Sequence, residues 1–308
     1  MLSYTLSALP PPSSPLIVFI SGASESSSSY PAVSRLLSLP HLLYDRAGLG
    51  KSPESSKDET TISPAVKAAQ DLHTLLCSLD QTSSSNSPPF FPPQVLLVAH
   101  SYGAFIAREY LDLHPDSVAG MVLLDPATEL YTPDPESVNI LMNTLLGGEG
   151  GLRFATVTGL REKCKLSSEE WRARAIDLNR AKTEVSPFQW GSLLESIRAK
   201  RQLESTPLGD KPLSLVVCDA AGDYRKVYEA GLQAGNGTHS QREKVRDMLD
   251  EWGRVDWKFK EKQLALSNRS RLVRLPDCGH NINLLRPEVV VQEILWVYRE
   301  IMARIHHI

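Results

Sequence analysis

Short runs of apolar residues alternate with longer amphipathic segments along most of the chain. Six of these runs are predicted to be buried strands, because they are rich in Val, Leu and Ile and are bounded by turn residues. The predicted strands are residues 16–20, 42–44, 95–99, 121–124, 213–217 and 272–275. Helices are predicted between them at residues 31–39, 62–80, 102–114, 224–234 and 287–303. This alternation predicts an α/β fold in which helices cover both faces of a mostly parallel sheet.

Two segments interrupt this alternation. Residues 81–93, QTSSSNSPPFFPP, are rich in Ser and Pro and are predicted to form a surface loop. Residues 127–210 separate two predicted strands by far more than one crossover helix requires, and they carry helical patterns at 135–146, 167–181 and 188–204. We interpret residues 127–210 as a helical lid inserted into a core of residues 1–126 and 211–308. A further helical pattern lies at 239–266, before the last strand.

The composition fits a globular protein without a nucleic-acid partner. The chain has 308 residues, of which 42% are hydrophobic, and its formal net charge is −3. The hydrophobic residues are numerous enough to fill a substantial core. The sequence has no long basic patch that would bind a nucleic acid. No apolar run approaches the roughly 18 residues of a membrane-spanning helix. Residues 1–15 lack the basic start and the continuous apolar stretch of a secretory signal.

The cysteines favour a reducing compartment. They are widely spaced and form no zinc-type pair, at Cys77, Cys164, Cys218 and Cys278. Two of them lie in or beside apolar strand-like runs, where a buried free thiol is usual. A cytoplasmic location is therefore expected.

The stretch YDRAGLGKSP, residues 44–53, contains the Gly-Lys-Ser sequence of a phosphate-binding loop. Such a loop has another glycine five residues before the Gly of Gly-Lys-Ser, and here that position is Asp45. Pro53 and the polar run after it also predict no helix that could present backbone N–H groups to a phosphate. The stretch is therefore predicted to be a glycine-rich turn that binds no nucleotide.

The run QVLLVAHSYGAFIAREYL, residues 94–111, passes from a buried strand into an amphipathic helix with almost no loop. Ser101 lies at the junction, with Ala99 before it and Gly103 after it. Small neighbours are needed where a sharp turn brings strand and helix backbones close together, and the turn exposes the serine oxygen at the edge of the sheet. The helix N-terminus behind the serine also favours negative charge. The pattern predicts a serine nucleophile.

These residues resemble the α/β-hydrolase superfamily, whose G-x-S-x-G motif has Ala99-His100-Ser101-Tyr102-Gly103 in its place here. Residues 45–52 similarly match a D-R-x-G-x-G-x-S turn of that family. The resemblance covers residues 15–303 outside the lid, and the loops are similar to those of fungal members, many of which serve secondary metabolism. It implies an α/β-hydrolase fold and a serine hydrolase that acts on a small molecule without a metal or an organic cofactor.

The resemblance implies that the general base follows the last strand, because His comes last in the family's chain order. His280 fits this place, since it follows Gly279 and precedes a final helix that Pro287 opens. His100 adjoins Ser101, but the alternation of strand side chains predicts that it points away. The other histidines are expected to be solvated or to cap helices, at His41, His73, His114, His239, His306 and His307.

Three aspartates are alternatives for the acid that orients His280. Asp125 directly follows the predicted strand at 121–124, whereas Asp219 and Asp223 follow the strand at 213–217. The family more often takes its acid from the later strand, and some lidded members use the earlier one. We favour Asp125, with Asp223 as the alternative. Without a catalytic role, either residue would be expected to cap a neighbouring helix.

The resemblance also implies an oxyanion hole formed by two backbone N–H groups. One donor is Tyr102, which directly follows the nucleophile. The other comes from the loop after the first buried strand, where the family often has His-Gly-x. Here the loop reads Ser21-Gly22-Ala23, so Ala23 is the second donor.

The lid is expected to shape a mostly apolar substrate pocket. One or two of its aromatic residues should line that pocket, among Tyr131, Phe154, Trp171, Phe188 and Trp190. The implied reaction is cleavage of an ester, thioester or lactone of a small to medium, mostly apolar substrate through an acyl-enzyme.

Other functions are compatible with the same residues. A C–C bond hydrolase, a lyase or an acyl transferase could use this triad, and a ligand-binding receptor with very slow turnover could keep it. A serine nucleophile excludes the epoxide hydrolase and haloalkane dehalogenase mechanisms, which use an aspartate. A stoichiometric burst without later turnover would distinguish the receptor from the enzymes.

We expect that ATP will not raise the melting temperature of this protein, because residues 44–53 lack the spacing of a phosphate-binding loop. A nucleotide at about 100 times its Kd would stabilise the protein by about 2.7 kcal/mol, which is readily measured. Lys51→Ala should change hydrolytic activity by no more than a few-fold. A rise in melting temperature with ATP that disappears in Lys51→Ala would contradict the assignment of a structural turn.

Overall fold

The computed structural model describes residues 1–54, 62–80, 94–148, 151–181 and 187–305, without the side chains of residues 80 and 187–189. Within them, the centre of the molecule is a seven-stranded sheet in the order β1-β3-β2-β4-β5-β6-β7. β1 pairs antiparallel with β3, and the other neighbouring strands pair in parallel. The strands are β1 Tyr4–Leu6, β2 Leu16–Ile20, β3 His41–Tyr44, β4 Val95–His100, β5 Val118–Leu124, β6 Leu213–Cys218 and β7 Ser270–Leu275.

All six predicted strands are present, which confirms the predicted mostly parallel sheet. β1 was missed, because Tyr4 and Thr5 are exposed at the edge of the sheet and give no apolar run. β5 also begins three residues earlier than predicted, since Gly120 interrupts the apolar pattern of Val118 and Ala119. The predicted Ser/Pro-rich loop at 81–93 lies outside the described residues.

The α-helices lie between the strands and in the long connections after β5 and β6. They are α1 Pro31–Leu36, α2 Pro64–Asp80, α3 Gly103–Leu113, α4 Pro135–Asn139, α5 Phe154–Val157, α6 Leu160–Lys163, α7 Ser168–Arg180, α8 Pro187–Ala199, α9 Gln202–Ser205, α10 Ala220–Gln233, α11 His239–Glu261, α12 Ile282–Leu285 and α13 Pro287–Ile305. Short 3₁₀ turns occur at Ser27–Ser29, Pro115–Ser117 and Lys262–Leu266, and Ile140–Leu145 is π-helical.

Helices cover both faces of the sheet, as the alternation along β4 demonstrates. Leu97 and Ala99 of β4 pack on one face in the same buried cluster as Phe105 of α3. Leu96 and Val98 point to the opposite face and pack in a second buried cluster that includes residues of α13. Because both faces of β4 are buried, its sequence is a continuous apolar run from Val95 to Ala99, which His100 and Ser101 follow.

The segment between β5 and β6 packs against the sheet domain at several places. Leu193, Leu194 and Ile197 of α8 belong to the same buried cluster as the strands and α3. Leu141 and Leu145 instead pack against Leu249 of α11, a helix that lies outside the segment. The layer over the carboxyl ends of the strands is therefore built from this segment and from α11 together. A lid bounded at 127–210 stays a prediction.

The described helices include none that is both long enough and apolar enough to cross a membrane.

A buried ion pair ties α3 to the segment after β5. Arg108 is fully buried, and its guanidinium donates to both carboxylate oxygens of Glu129 at 2.7 and 2.8 Å. It also donates to the side-chain oxygen of Gln202 at 2.9 Å. This planar, bidentate geometry suits Arg and not Lys. The pair holds the start of the segment after β5 against the helix that follows Ser101.

We expect Arg108→Leu to lower the free energy of unfolding by about 3–5 kcal/mol, because it leaves the buried charge of Glu129 without its partner. Urea denaturation would measure the loss. Asp250→Ala is the control, since it removes the pair with Arg225, in which the two side chains are 59% and 41% exposed. Such an exposed pair contributes less than about 1 kcal/mol. Equal losses in both variants would contradict a structural role for the buried pair.

Candidate active site

Ser101 lies at a strained turn between β4 and α3. Its φ of 54° is in the left-handed region, which is uncommon for a residue with a side chain. The start of α3 approaches the end of β2 so closely that a Cβ on Gly103 would lie 2.5 Å from the carbonyl oxygen of Ile20. A Cβ on Gly22 would similarly lie 3.3 Å from the Cβ of Ser101. The glycines are therefore required by the close approach, and the turn holds the Ser101 hydroxyl away from the strand.

The imidazole of His280 lies between Ser101 and Asp125. The Ser101 hydroxyl is 3.0 Å from Nε2 of His280, and Nδ1 is 2.5 Å from Oδ2 of Asp125. The carboxylate accepts the Nδ1 proton, so Nε2 is left to accept the proton of the serine hydroxyl. The side chain of His280 is 27% exposed, whereas that of Asp125 has no exposure. The arrangement can transfer a proton from Ser101 to His280 while Asp125 stays out of water.

Asp125 is held in place by donors from three parts of the chain. Its φ is 40°, and its Oδ1 accepts from the backbone N–H of Cys218 at 2.9 Å and from the ammonium of Lys260 at 2.7 Å. Burial alone would raise the pKa of Asp125. The charge of Lys260 and the hydrogen bond from His280 outweigh burial and hold that pKa well below its usual range. Asp125 is therefore a carboxylate at neutral pH.

The other two candidate acids have different partners. Oδ2 of Asp223 accepts the backbone N–H of His280 at 3.1 Å, and its Oδ1 accepts from Lys226 at 3.0 Å. It approaches Gly279 so closely that a Cβ there would lie 1.9 Å from its Oδ2. Asp219 is the N-cap of α10 and accepts from the N–H of Gly222 at 2.9 Å. Asp223 thus supports the backbone of the His280 loop, whereas the imidazole ring itself meets Asp125.

His100 is buried beside the site and contacts acceptors through both ring nitrogens. Its Nδ1 lies 3.1 Å from a carboxylate oxygen of Glu25, and its Nε2 lies 2.9 Å from the carbonyl oxygen of His280. Because both partners accept, both nitrogens must donate, and the ring is an imidazolium. Burial lowers the pKa of His100, but the hydrogen bond and charge of Glu25 raise it overall. The ring of His100 therefore supports the loop that carries His280 by binding the backbone of that loop.

The loop Ser21-Gly22-Ala23 is held from two sides. Arg46 donates to the carbonyl oxygens of Ser21 at 2.7 Å and of Gly22 at 2.6 Å. The N–H of Gly22 donates to Glu25 at 3.3 Å. Ala23 lines the same cavity as Ser101 and His280, as a second oxyanion donor must. Tyr102, the other expected donor, directly follows Ser101 with a φ of −54°.

The glycine-rich turn positions Arg46 for this contact. Asp45 accepts the backbone N–H of Lys51 at 3.0 Å and that of Ser27 at 2.8 Å, so its carboxylate closes the turn on itself. Gly50 has a φ of +53°, and a Cβ there would lie 2.4 Å from Asp45. The turn is thus an internal brace for the loop that carries Ala23, in agreement with the structural interpretation of residues 44–53.

A cavity of about 480 Å³ adjoins Ser101 and His280. This volume lies within the range of small-molecule sites. Most of its wall is apolar or aromatic, formed by Ala127, Tyr131, Pro133, Val138, Trp190, Ala220, Tyr224 and Trp252. Two of the aromatic residues considered from the sequence, Tyr131 and Trp190, thus line it. Phe154 instead packs against Tyr224 at 5.6 Å between ring centroids, and the side chain of Phe188 lies outside the described residues.

The sequence model of a protein family described as "Alpha/beta hydrolase family" matches residues 17–293. The chain belongs to the α/β-hydrolase family. The predicted family and fold are thereby confirmed, and with them the prediction of a hydrolase.

Relatives of this α/β-hydrolase include fungal proteins. An "AB hydrolase superfamily protein" of Gibberella zeae is 28% identical over 92% of this chain and 86% of its own length. A protein of Hormonema carpetanum named "Probable transporter efuK" is also 28% identical over 95% of this chain, which spans 40% of that longer protein. The monoacylglycerol lipase of Paleococcus ferrophilus is 16% identical, with a TM-score of 0.55 over 97% of this chain and 99% of its own. This last likeness is one of fold alone.

Sequence patterns assign no role to two charged residues of this α/β-hydrolase, Asp256 and Lys260 of α11. Both are buried and both line the cavity. A signal was present, because buried positions recur along α11 at Val245, Met248, Leu249, Trp252, Asp256 and Lys260. A charge on an otherwise apolar helical stripe indicates a buried partner.

We expect Asp125→Asn to lower kcat by about 10⁴-fold, because an amide favours the wrong tautomer of His280. Asp223→Asn should cost only a few-fold, since the amide oxygen still accepts the backbone N–H of His280. Steady-state hydrolysis of a chromogenic ester would measure both, with thermal unfolding to verify that each variant is folded. A large loss in Asp223→Asn and a small one in Asp125→Asn would move the acid to β6.

Proposed function

We propose that this α/β-hydrolase cleaves an ester, thioester or lactone through an acyl-enzyme on Ser101. The observation that supports this most directly is the chain of hydrogen bonds from Asp125 through His280 to Ser101, at 2.5 and 3.0 Å. In this proposal Ser101 is the nucleophile, His280 is the general base and Asp125 is the acid that orients it. Ala23 and Tyr102 supply the oxyanion hole.

Acylation begins when Oγ of Ser101 attacks the substrate carbonyl carbon and gives its proton to Nε2 of His280. The carbonyl oxygen becomes an oxyanion, which the N–H groups of Ala23 and Tyr102 stabilise. Asp125 remains ionised, because its pKa is held below its usual range, and it stabilises the imidazolium that forms. His280 then returns the proton to the leaving oxygen or sulfur, and the acyl group stays on Ser101.

Deacylation repeats these steps with water as the nucleophile. Nε2 of His280 accepts a proton from the water as its oxygen attacks the acyl carbon, and the Ser101 hydroxyl is restored when the intermediate collapses. The water must approach through the same cavity, since Ser101 and His280 both line it. The acid product and the alcohol or thiol leave as separate molecules, or as one chain when the substrate is a lactone.

The substrate is a small to medium, mostly apolar molecule. A cavity of about 480 Å³ with aromatic walls favours an alkyl or aryl acyl group over a charged one. The resemblance to fungal members of secondary metabolism supports a natural-product ester or a polyketide thioester. The four free cysteines support a cytoplasmic location.

A fluorophosphonate probe and a series of p-nitrophenyl esters of increasing acyl length test this proposal. We expect the probe to label Ser101, as identified by mass spectrometry of the digested protein. Ser101→Ala should abolish labelling and lower kcat by at least about 10³-fold, because triad residues act as one unit. Ser240→Ala is the matched control, since Ser240 is exposed at the start of α11 and should leave both readings unchanged.

Near-normal turnover in Ser101→Ala would overturn the serine mechanism. A burst of one product per protein molecule with almost no later turnover would instead identify a receptor that retains the triad. Product analysis with an added alcohol distinguishes an acyl transferase, because the acyl group would then appear on the alcohol.

A further inference from the structure

A buried ammonium contacts the carboxylate of the proposed triad. Nζ of Lys260 lies 2.7 Å from Oδ1 of Asp125, and the two side chains are 6% and 0% exposed. The same ammonium lies 2.6 Å from Asp256, which precedes it by one helical turn on α11. Removing such charges from water costs several kcal/mol each, which only good hydrogen-bond geometry offsets. The proton transfer from Ser101 to His280, with Asp125 as the ionised carboxylate that orients the ring, does not by itself require Lys260.

We propose that Lys260 is a positioning residue for Asp125: it fixes the carboxylate so that Oδ2 faces His280, and its positive charge partly offsets the negative charge that Asp125 presents to His280. This inference rests on the proposed function of Ser101, His280 and Asp125. Its consequence concerns the pH–rate profile of the reaction. The acidic limb of that profile lies at lower pH than it would if Asp125 had no cation beside it.

The orientation of the carboxylate follows from how its two oxygens are used. Oδ1 accepts from Lys260 and from the backbone N–H of Cys218, at 2.7 and 2.9 Å. Both donors are on rigid elements, α11 and β6, so the carboxylate plane is fixed from one side. Oδ2 is then directed at Nδ1 of His280, at 2.5 Å. Loss of Lys260 leaves one donor on Oδ1, about which the carboxylate can rotate.

The charge effect follows from the sign of each group. The negative charge of Asp125 stabilises the positive charge that develops on the imidazole ring during the reaction, and the positive charge of Lys260 opposes it. Burial lowers the pKa of Lys260, but the charges of Asp125 and Asp256 raise it overall, so the ammonium persists at neutral pH. Burial and the charge of Asp125 raise the pKa of Asp256, against the opposing charge of Lys260. Asp256 therefore weakens the effect of Lys260 on Asp125.

Other titratable groups around His280 stay unchanged in the variants below. On the side of β4, His100 is paired with Glu25, which also binds Arg174 of α7. On the side of α10, Asp223 is paired with Lys226 and contacts the backbone of His280. A hydrogen bond to Cys278 and burial raise the pKa of the Cys218 thiol, and burial raises the pKa of the phenols of Tyr131 and Tyr224, so these three groups are neutral near pH 7. A shift of the acidic limb between variants therefore reports on Lys260 and Asp256.

The test is the rate of fluorophosphonate labelling of Ser101 between about pH 4 and 9. We expect Lys260→Met to raise the pH of half-maximal rate by about one unit, because the opposing cation is lost. Asp256→Asn should lower that pH, since Lys260 then acts on Asp125 alone. Lys258→Met is the matched control: it removes the same charge from the same helix, but Lys258 is exposed and its charge is screened by water.

A double variant keeps the test interpretable if Lys260→Met misfolds, or if Asp125 or Asp256 takes up a proton when the cation is lost. Lys260→Met/Asp256→Leu removes the ion pair as a whole, a change that is often neutral for stability. It should still raise the midpoint, by less than Lys260→Met alone. A rate that falls equally at every pH, with an unmoved midpoint in folded variants, would overturn the inference. Absence of Ser101 labelling in the unmodified protein would instead overturn the proposed function itself.

Discussion

The buried carboxylate of Asp125 is the charge around which the candidate site is arranged. An isolated charge without water is very costly, so each of its oxygens needs donors that the fold must bring to it. They come from β6 through Cys218, from the loop after β7 through His280, and from α11 through Lys260. The N–H of Asp125 also donates to Val216 of β6 at 2.7 Å. The pairing of β5 with β6 and the packing of α11 are therefore tied to one carboxylate.

A second buried carboxylate, Glu25, lies on the other side of Ser101. It accepts from Gly22 in the loop of Ala23, from His100 beside the nucleophile, and from Arg174 of α7. Burial would raise the pKa of Glu25, but its bond to His100 and the charges of His100 and Arg174 hold it well below the usual range. Glu25 therefore ties the loop of Ala23, the ring of His100 and α7 together beside Ser101.

The sequence predicts well those features of the fold that residues close together in the chain determine. The six buried strands and the turn at Ser101 follow from local apolar runs and small side chains. The acid could not be decided in that way, because Asp125, Asp219 and Asp223 all follow strands and carry the same chemistry. Only the fold shows that Asp223 meets the backbone of His280 while Asp125 meets its ring. Lys260 lies 135 residues from Asp125, beyond any local pattern.

The geometry of α11 joins the cavity wall to the acid. Trp252, Asp256 and Lys260 succeed one another at intervals of four residues, so they occupy one face of the helix over about 12 Å. Trp252 lines the cavity, and Lys260, two turns further on, holds Oδ1 of Asp125. A helix moves as a rigid body over this length. In the proposed mechanism, a displacement of α11 that widens the cavity at Trp252 would also move the ammonium away from Asp125, and would so link the fit of the acyl group to the strength of His280 as a base.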